Sequence, residues 1–510
     1  MILTCAFIIS VCALGGCTAE NASDGASKTH TDDSVVVFAA DGIASRSFDG
    51  VGVDWGVYED TNKLAVGAWE KTMNAVDRLN PSLVRCMTNL DWLVYDYDSK
   101  NTDDLSDDEW KYNFKNKYMK NTLDILDYCQ DRGIKVAFGV WNVIGSPDPE
   151  VDVWKMIPNS TTDPRWAKMT ADLMEFLVKT EGYDCIKWFV NTNEPNYVGN
   201  IGASKNAYNT YEKWSQGVKN VKAEFLKRGL DGIDIVGGDV TASGAGFDQY
   251  LMGIAKEMTD VVSNYGIHLY VSNFPIDKGT FRDSLTTNIE ALREFDKKIG
   301  DEHRVIIWES GLLDGKNVIT DCNSYIANYS YGIRMADFTV QSLLAGVNGI
   351  CYWDLDDAMH FMYTETGATA KEWGMFSTLS SASPLKQEIR PWFHSSTLIT
   401  NLLRPGSDIY KPSVESGDDF RTVAAVSADR KSGGFIAVNR GIKSVKKTFR
   451  IEEKLSTDGN IYVYIFNESN LRLDKNGYVT PNAVARGSVN DEVTLEIPAG
   501  SVAVVSTKLL

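Results

Sequence analysis

The chain is poor in the residues that bind transition metals. It has five histidines, all far apart, and its eight cysteines include no C-x-x-C pair. Structural zinc sites draw their ligands from closely spaced cysteines and histidines, so we expect no metal, and no organic cofactor is indicated. The first three cysteines lie near the N-terminus. The other five lie mostly in apolar segments and are predicted to be buried free thiols, with a structural disulfide as the alternative: Cys86, Cys129, Cys185, Cys322 and Cys351.

Basic residues are also scarce. The 51 Lys and Arg are outnumbered by 69 Asp and Glu, which gives a net charge of −18. Nucleic acids and anionic membranes are bound by clusters of Lys and Arg, so neither is expected as the main partner and a neutral substrate fits better. The acidity could also serve only solubility. A chain of 510 residues, 43% of them hydrophobic, is long enough for a large domain and a smaller one.

The apolar segment at residues 2–14 is too short to span a bilayer as a helix. It leads into Leu14-Gly15-Gly16-Cys17, which resembles the lipobox of bacterial lipoproteins. The resemblance implies a signal peptide over residues 1–17, with Cys17 acylated as the mature N-terminus; a plain secretory signal is the alternative. Residues 18–33 lack periodicity and predict a flexible tether. We therefore expect a secreted lipoprotein of the bacterial cell envelope, held at the outer membrane or cell surface only by this anchor.

From residue 50 to about residue 390, short β-rich segments alternate with helical ones. The strand-like segments are Val51–Trp55, Leu83–Thr88, Ile134–Val140, Ile186–Val190, Ile233–Gly237, Tyr265–Tyr270, Arg304–Trp308 and Gly349–Trp353. Helix-like stretches between them include 114–132, 165–181, 205–228, 283–299 and 324–345. Eight such repeats predict an α/β fold of the (β/α)8 TIM barrel type rather than an open doubly wound sheet.

The pattern changes after Trp373-Gly374. A last helix is predicted over Pro391–Leu403, and short strands with Gly, Asn and Asp turns fill the remainder up to residue 510. This spacing predicts an all-β sandwich over residues 391–510. The early β-like run in residues 34–49 is expected to pair with that sandwich.

Two of the predicted barrel strands end in a glutamate. The fourth is followed by Asn193-Glu194-Pro195, where Pro195 cannot donate to a sheet, and the seventh is followed by Glu309. The loops at the C-terminal ends of the strands form the cleft of such a barrel. Either glutamate alone could be an ordinary loop carboxylate. Retaining glycosidases, however, need one carboxylic acid and one carboxylate about 5 Å apart, which makes the pair specific.

These positions resemble those of clan A of the glycoside hydrolases, and the barrel with its sandwich is similar to families 5, 30, 39 and 51. The resemblance implies that Glu194 is the acid/base, Glu309 the nucleophile, and Asn193 a donor to the sugar 2-hydroxyl. It further implies that Arg85 keeps the nucleophile ionised and that Tyr270 hydrogen-bonds it.

Other strand tips offer substrate contacts. By the same resemblance His268, in His268-Leu269-Tyr270, contacts substrate, and Trp353 presents a flat apolar face to a sugar ring. The alternatives are a structural ion pair for Arg85, a core histidine for His268 and simple packing for Trp353. Further tryptophans fall at or near strand ends: Trp55, Trp92, Trp141, Trp154 and Trp308. Among these we expect Trp141 to bind sugar, with Asn142 and Asp239 as polar contacts.

The sequence thus predicts a retaining glycoside hydrolase that cleaves β-glycosidic bonds of a neutral poly- or oligosaccharide. The β-linkage follows from the resemblance alone. A surface glycan-binding protein that keeps the cleft without turnover is the rival from another class. A transglycosidase, which uses the same residues, is the rival among enzymes.

Overall fold

The computed structural model describes residues 35–56, 68–94, 113–141, 158, 160–197, 210–244, 247–357, 361–364, 367–377, 388–414, 417–456 and 459–510. The predicted signal peptide and tether, with Cys17, lie outside these residues, as do Asn142 and Trp154. Within the described residues, no helix is both long and apolar enough to cross a membrane.

Eight parallel strands close into a barrel, which confirms the predicted fold. Two strands, β1 (Val35–Phe38) and β2 (Ile43–Phe48), precede it. The barrel strands are β3 (Gly50–Asp54), β4 (Leu83–Thr88), β5 (Lys135–Val140), β6 (Ile186–Val190), β7 (Asp234–Thr241), β8 (Asn264–Val271), β9 (Arg304–Leu312) and β10 (Gly349–Tyr352). Each pairs with its sequence neighbours, and β10 pairs with β3 to complete the ring.

Amphipathic helices surround the barrel. Thr280–Ile299, for example, buries Phe281, Leu285, Ile289 and Leu292 at the three- and four-residue spacing of one helical face. The helices are Ala68–Leu79, Asp91–Val94, Lys117–Arg132, Pro164–Glu175, Tyr211–Lys227, Phe247–Glu257, Asn273–Lys278, Thr280–Ile299 and Tyr329–Leu344, with a π-helical turn at Phe176–Thr180 and a 3-10 turn at Ser324–Ala327. Two hairpins follow β9 and β10: Lys316–Asn317 pairs with Cys322–Asn323, and Phe361–Thr364 with Gly367–Ala370.

A helix, Pro391–Leu402, leads to a C-terminal β-sandwich. Its strands are β11 (Ser407–Tyr410), β12 (Phe420–Val426), β13 (Gly433–Asn439), β14 (Val445–Ile451), β15 (Gly459–Phe466), β16 (Ala483–Gly487), β17 (Val493–Ile497) and β18 (Ser501–Ser506). One sheet has the order β2-β11-β12-β13-β18-β15-β16 and the other β1-β14-β17. β1 therefore adds to the sandwich, parallel to β14, and Phe38 packs with Phe435 and Phe449 between the sheets.

The outer face of the larger sheet packs on the barrel helices Tyr329–Leu344 and Pro391–Leu402. Buried charges cross this contact: Arg421 of the sandwich donates to Asp337 of the barrel at 2.7 Å, and Arg440 pairs with the same carboxylate. Removing one partner of a buried ion pair leaves the other uncompensated. The sandwich and barrel are therefore held together by charge as well as by apolar packing.

The interior of the barrel divides into two layers. Toward the N-terminal ends of the strands it is filled by apolar side chains, among which Trp188 and Trp308 meet edge to face at 5.5 Å. Toward the C-terminal ends charged side chains also face inward, beginning with Arg85, which lies between the apolar Leu83 and Met87 on β4. The lower layer is a packed core rather than a pore. Four of the described cysteines are buried free thiols, as predicted, whereas Cys322 is partly exposed because it lies in the hairpin after β9.

Candidate active site

Arg85 lies at the centre of the charged layer. Its Nη1 donates to Asp54 Oδ1 and to Glu309 Oε1, each at 2.8 Å. Its Nη2 donates to Asn193 Oδ1 and to Asp239 Oδ2, each at 2.7 Å. Burial by itself lowers the pKa of Arg85, but the three carboxylates raise it well above its usual value. The guanidinium therefore stays charged and joins the tips of four strands and the loop after β6.

Glu309 has both carboxylate oxygens held. Arg85 donates to Oε1, and the hydroxyl of Tyr270 donates to Oε2 at 2.8 Å. Burial raises the pKa of Glu309, whereas the charges of His268 and Arg85 oppose that rise. Burial and the neighbouring carboxylates raise the pKa of Tyr270 well above its usual value, so the phenol keeps its proton and remains a donor.

Glu194 faces Glu309 across this layer. One carboxylate oxygen of each glutamate and a ring nitrogen of His268 all lie within 4.8 Å of one another. The side chain of Glu194 is 16% exposed and that of Glu309 is 5% exposed, so both border the cleft. Glu194 has a left-handed backbone (φ 41°), and its N–H donates to the carbonyl of Asp239 at 3.0 Å. That backbone bond offsets a conformation that side-chain-bearing residues rarely adopt.

His268 is fully buried between carboxylates. Its Nδ1 lies 3.0 Å from Glu194 Oε1 and its Nε2 lies 2.9 Å from Asp239 Oδ1. Burial by itself lowers the pKa of His268, but the charges of Asp239 and Glu309 and hydrogen bonds to Asp239 and Glu194 raise it well above the usual value. Both ring nitrogens face carboxylates, which only accept hydrogen bonds when ionised, so the two contacts favour an imidazolium with both N–H groups donating.

Two β-bulges aim side chains into this layer. Between β7 and β8, Gly238 pairs with Gly266 and Val240 with Ile267, which leaves Asp239 as the extra residue. Gly238 (φ 100°) and Asp239 (φ 53°) both have left-handed backbones there. A bulge of this kind reverses the in-and-out alternation of the strand. Asp239 consequently faces Arg85, while Val240 packs on the outer core.

The second bulge lies between β8 and β9. Ile267 pairs with Ile307 and His268 with Glu309, so Trp308 is the extra residue. Trp308 packs into the apolar layer inside the barrel. Glu309, the next residue, also reaches the interior, where it contacts Arg85.

A cleft of about 280 Å³ opens above the two glutamates. Trp141 and Trp353 form one wall, edge to face at 6.0 Å, and Trp373 stands edge-on to Tyr270 at 5.8 Å. The cleft is lined by Trp141, Asn193, Glu194, Tyr197, Thr241, Ser243, Tyr270, Glu309, Leu313, Lys316, Asp321, Trp353, Lys371 and Trp373. Lys316 and Lys371 both pair with Asp321 at 3.0 Å.

The structure brings most of the sequence-predicted site residues together. Glu194, Glu309, Asn193, Tyr270, Trp141 and Trp353 line the cleft, while Arg85 and His268 lie beneath it. Trp55 and Trp308 are fully buried and Trp92 is nearly so, which makes them packing residues.

Asp54 and Trp373 also belong to the site but are not among the residues predicted from the sequence, and Asp239 does not lie where a substrate contact is expected. Asp239 is 1% exposed, and each of its oxygens already has a partner within the protein. The signal for Asp54 was a charged residue inside an apolar strand, and the signal for Asp239 was the preceding Gly237-Gly238, a pair typical of a bulge.

Glu194, His268 and Glu309 are close enough to hold a metal ion by distance alone. An imidazolium, however, has no free lone pair for a metal. His268 would have to give up a proton that Asp239 and Glu309 stabilise before it could act as a ligand.

No protein-family model matches the chain, and no curated protein matches its sequence. Solved structures match it in three dimensions. A GH30 endoxylanase from Clostridium papyrosolvens C71 superposes with a TM-score of 0.60 at 14% identity, over 93% of this chain and 100% of that one. The chain has the fold of a glycosidase.

Two further structures extend the likeness. An alpha-L-arabinofuranosidase from Thermotoga maritima gives a TM-score of 0.59 at 13% identity, over 93% of this chain and 100% of that one. An endo-beta1,6-glucanase gives the same score and identity over 93% of both chains. At such identities the likeness establishes the barrel with its sandwich, and the chemistry must be argued from the site.

Proposed function

We propose that the protein is a retaining glycoside hydrolase that cleaves β-glycosidic bonds of a neutral poly- or oligosaccharide by double displacement. The observation that carries the proposal is the Glu194–Glu309 pair, whose nearest oxygens lie within 4.8 Å at the floor of an open cleft. Retaining enzymes hold their carboxyl groups at about 5 Å, whereas inverting enzymes need about 6.5–9.5 Å to admit a water. Matching folds among known glycosidases support the same assignment.

Each glutamate has surroundings that suit its step. Glu194 gives its proton to the glycosidic oxygen while Glu309 attacks the anomeric carbon, so the leaving sugar departs and a glycosyl ester forms on Glu309. Glu194 then takes a proton from water, the water oxygen attacks the anomeric carbon, and Glu309 leaves as a carboxylate. Arg85 and Tyr270 support that carboxylate through charge-assisted hydrogen bonds.

Asn193 is oriented for the sugar 2-hydroxyl. Arg85 has only donors, so it fixes Asn193 Oδ1 toward itself at 2.7 Å. The amide nitrogen of Asn193 is then the group left to donate toward the cleft. A hydrogen bond to the 2-hydroxyl that strengthens in the transition state contributes to catalysis in this class of reaction.

The cleft suits an uncharged sugar. Trp141 and Trp353 offer apolar ring surface with polar edges, which binds sugar rings well. Two lysines line the cleft, but both are paired with Asp321, whose pKa is lowered by them against the opposing effect of burial. The three proteins of similar fold are named for three different activities, so they do not indicate which sugar this protein binds.

The direct test is Glu309→Gln in the full-length protein, measured on a panel of polysaccharides and aryl glycosides. The native protein should give products, and the variant should lose at least about a thousandfold in kcat/KM because an amide is a poor nucleophile. Glu302→Gln, at an exposed glutamate, serves as the matched control and should remain active. A 2-deoxy-2-fluoro glycoside should add its sugar mass to Glu309 alone.

The same panel separates the rivals. Near-native turnover by Glu309→Gln contradicts the proposal. Binding of a polysaccharide without any product favours the glycan-binding protein, and products longer than the substrate favour a transglycosidase.

We also propose that the enzyme is a lipoprotein of the cell envelope, anchored through Cys17. This rests only on the lipobox-like Leu14-Gly15-Gly16-Cys17. Metabolic labelling with a palmitate analogue in a bacterial host should mark the native chain and not Cys17→Ser. Equal labelling of both would contradict the anchor.

A further inference from the structure

We propose that Asp239 is a positioning residue that holds the acid/base glutamate through His268 and the nucleophile through Arg85, so that one buried carboxylate sets the geometry and charge of both. This inference rests on the proposed glycosidase function, because it assigns a role within that reaction. It also replaces the role of substrate contact for Asp239.

The contacts of Asp239 exclude a direct sugar contact as its main role. Its side chain is 2% exposed, Oδ1 bonds His268 at 2.9 Å, and Oδ2 accepts from Arg85 at 2.7 Å. The bulge after Gly238 gives Asp239 a left-handed backbone. Such strained backbone persists only where the surrounding structure supports it, and here the support comes from both charged partners.

On the acid/base side, Asp239 acts on Glu194 in two ways. Its carbonyl accepts from the N–H of Glu194 at 3.0 Å, which fixes the backbone. Its carboxylate holds His268, whose other nitrogen lies 3.0 Å from Glu194 Oε1. Oε1 is thereby occupied by the imidazolium, and Oε2 is the oxygen that carries the proton to the leaving group.

On the nucleophile side, Asp239 acts through Arg85. The guanidinium is held on one edge by Asp54 and Glu309 and on the other by Asn193 and Asp239. The contact between Oδ2 of Asp239 and Nη2 fixes the plane of the guanidinium. That plane in turn sets where Glu309 Oε1 and the amide of Asn193 lie.

Asp239 also stabilises the positive charge of His268. The ring faces Asp239, Glu194 and, at 3.5 Å, Glu309, while Asp54 and Arg85 lie further off in the same layer and Tyr270 stands beside Glu309. The charge of His268 lowers the pKa of Glu309 more than the charge of Arg85 does. Loss of the imidazolium charge would raise the pKa of Glu309 further.

Asp239→Asn tests this without changing the shape of the side chain. Arg85 can only donate, so the Asn oxygen must face Arg85 and the Asn NH2 must face His268 Nε2. That nitrogen then has to accept, and the ring becomes neutral while its Nδ1–H still reaches Glu194. We expect kcat to fall by roughly 10–100-fold, the range found when a hydrogen-bond partner that orients a metal-binding histidine is removed, with KM little changed.

The pH dependence of kcat/KM shows whether the pKa of Glu309 rises or falls in Asp239→Asn. Glu309 must be ionised to attack, and its pKa rises when the nearby positive charge is lost. The acid limb of kcat/KM should therefore move to higher pH in Asp239→Asn. A shift toward lower pH, an unchanged profile, or a rise in KM with kcat intact would overturn the positioning role.

A second measurement does not depend on activity. The chain has five histidines, so the ring nitrogens of His268 can be identified in a 15N-histidine NMR spectrum by comparison with His268→Gln. The native ring should stay doubly protonated at neutral pH, and the ring in Asp239→Asn should be singly protonated. An identical protonation state in both overturns the inference, whereas the expected difference in a protein that turns over no glycoside would support the contacts and overturn the proposed reaction.

The matched control is Asp296→Asn. Asp296 is an equally buried carboxylate that contacts a histidine and an arginine outside the cleft. It should match Asp239→Asn in lost stability and leave kcat and the pH profile unchanged.

Discussion

The barrel has two clusters of an aspartate, a histidine and an arginine, one at each end, and in each cluster the aspartate and the histidine are buried. The cluster at the N-terminal end is formed by Asp296, His303 and Arg293, with Asp296 at 3.2 Å from His303 Nδ1 and 3.1 Å from Arg293. His303 Nε2 bonds the carbonyl of Thr259 at 3.0 Å. The other cluster, of Asp239, His268 and Arg85, lies at the C-terminal end. The two share residue types and a buried aspartate and histidine, although the side chain of Arg293 is 18% exposed and that of Arg85 is fully buried. Residue types and a buried aspartate–histidine pair therefore cannot by themselves indicate a function.

The two clusters differ in what their histidines reach. The second nitrogen of His303 is used by a backbone carbonyl, which stabilises a turn. The second nitrogen of His268 reaches Glu194, a partly exposed carboxylate on the cleft. In a parallel barrel the C-terminal ends of the strands carry catalytic groups and the opposite face serves stability. The direction of the strands therefore separates a site from a structural ion cluster of the same composition.

After Glu309→Gln, the largest expected effect at the C-terminal end is that of Glu194→Ala. On glycosides with poor leaving groups, kcat/KM should fall by about a thousandfold, because no acid remains to protonate the departing oxygen. On aryl glycosides whose leaving groups need no proton, the loss should be much smaller. Added azide should then attack the glycosyl-enzyme and form a glycosyl azide, because azide, unlike water, needs no general base. Steady-state rates across leaving groups of graded acidity check this.

Equal losses on good and poor leaving groups would contradict the acid/base role of Glu194. They would also weaken the contrast between the two ends, since the hydrogen bond from His268 to Glu194 would then serve structure alone. Glu302→Gln again provides the exposed-glutamate control.

At the N-terminal end, Asp296→Asn should act on stability and not on turnover. Neutralising the carboxylate removes the buried negative charge that faces Arg293 and His303, although Arg293 keeps its contact with Glu302 at 3.4 Å. Breaking a largely buried ion pair in this way costs about 3 kcal/mol. Urea denaturation should show that loss as a lower midpoint with an unchanged slope. A fall in kcat in protein that remains folded would show that the lower cluster also supports the site.

Much of the fold could be read from the sequence, because long apolar segments end sharply. Ile186–Val190 and Leu83–Thr88 have the bounds that their β-branched and aromatic runs predicted. Glu194 and Arg85 were recognisable since a charged residue follows or interrupts such a run. Parallel strands place these tips at one edge of the barrel, which brings the side chains together without any knowledge of the loops.

The two β-bulges could not be predicted from the alternation of inward- and outward-facing side chains along the strands. In β7 Val236 faces the barrel interior, so strict alternation would turn Asp239 toward the helices and Val240 inward. The extra residue at Gly238-Asp239 reverses these directions, so that Asp239 faces the interior and Val240 faces the helices. The predicted strand ends at Gly237, before the bulge, so the sequence predicts Asp239 in the loop that borders the cleft, whereas the structure has it beneath the cleft. The register of one strand against the next depends on tertiary pairing and is not encoded in either strand alone.

The smallest expected effect is on the pH dependence of folding stability, where His268 can be compared with a second buried histidine. This is His394, on the helix Pro391–Leu402. Burial, together with the positive charge of Arg78, lowers the pKa of His394 from 6.5 to about 4. The unfolded chain then binds a proton more readily than the folded one, so stability falls as the pH drops from 6.5 toward 4. Between pH 7 and pH 5 this amounts to about 2 kcal/mol.

His394→Gln should remove that part of the acid sensitivity, and urea midpoints of the two proteins measured at pH 7 and pH 5 would show it. His268 has the opposite sign: its raised pKa means that its charge stabilises the folded state at low pH, and that this stabilisation is lost only as the pH rises through the folded value. His268→Gln should therefore leave the acid sensitivity in place. If it removed that sensitivity instead, the carboxylates around His268 would not hold its charge, and the two buried histidines would respond to acid in the same way.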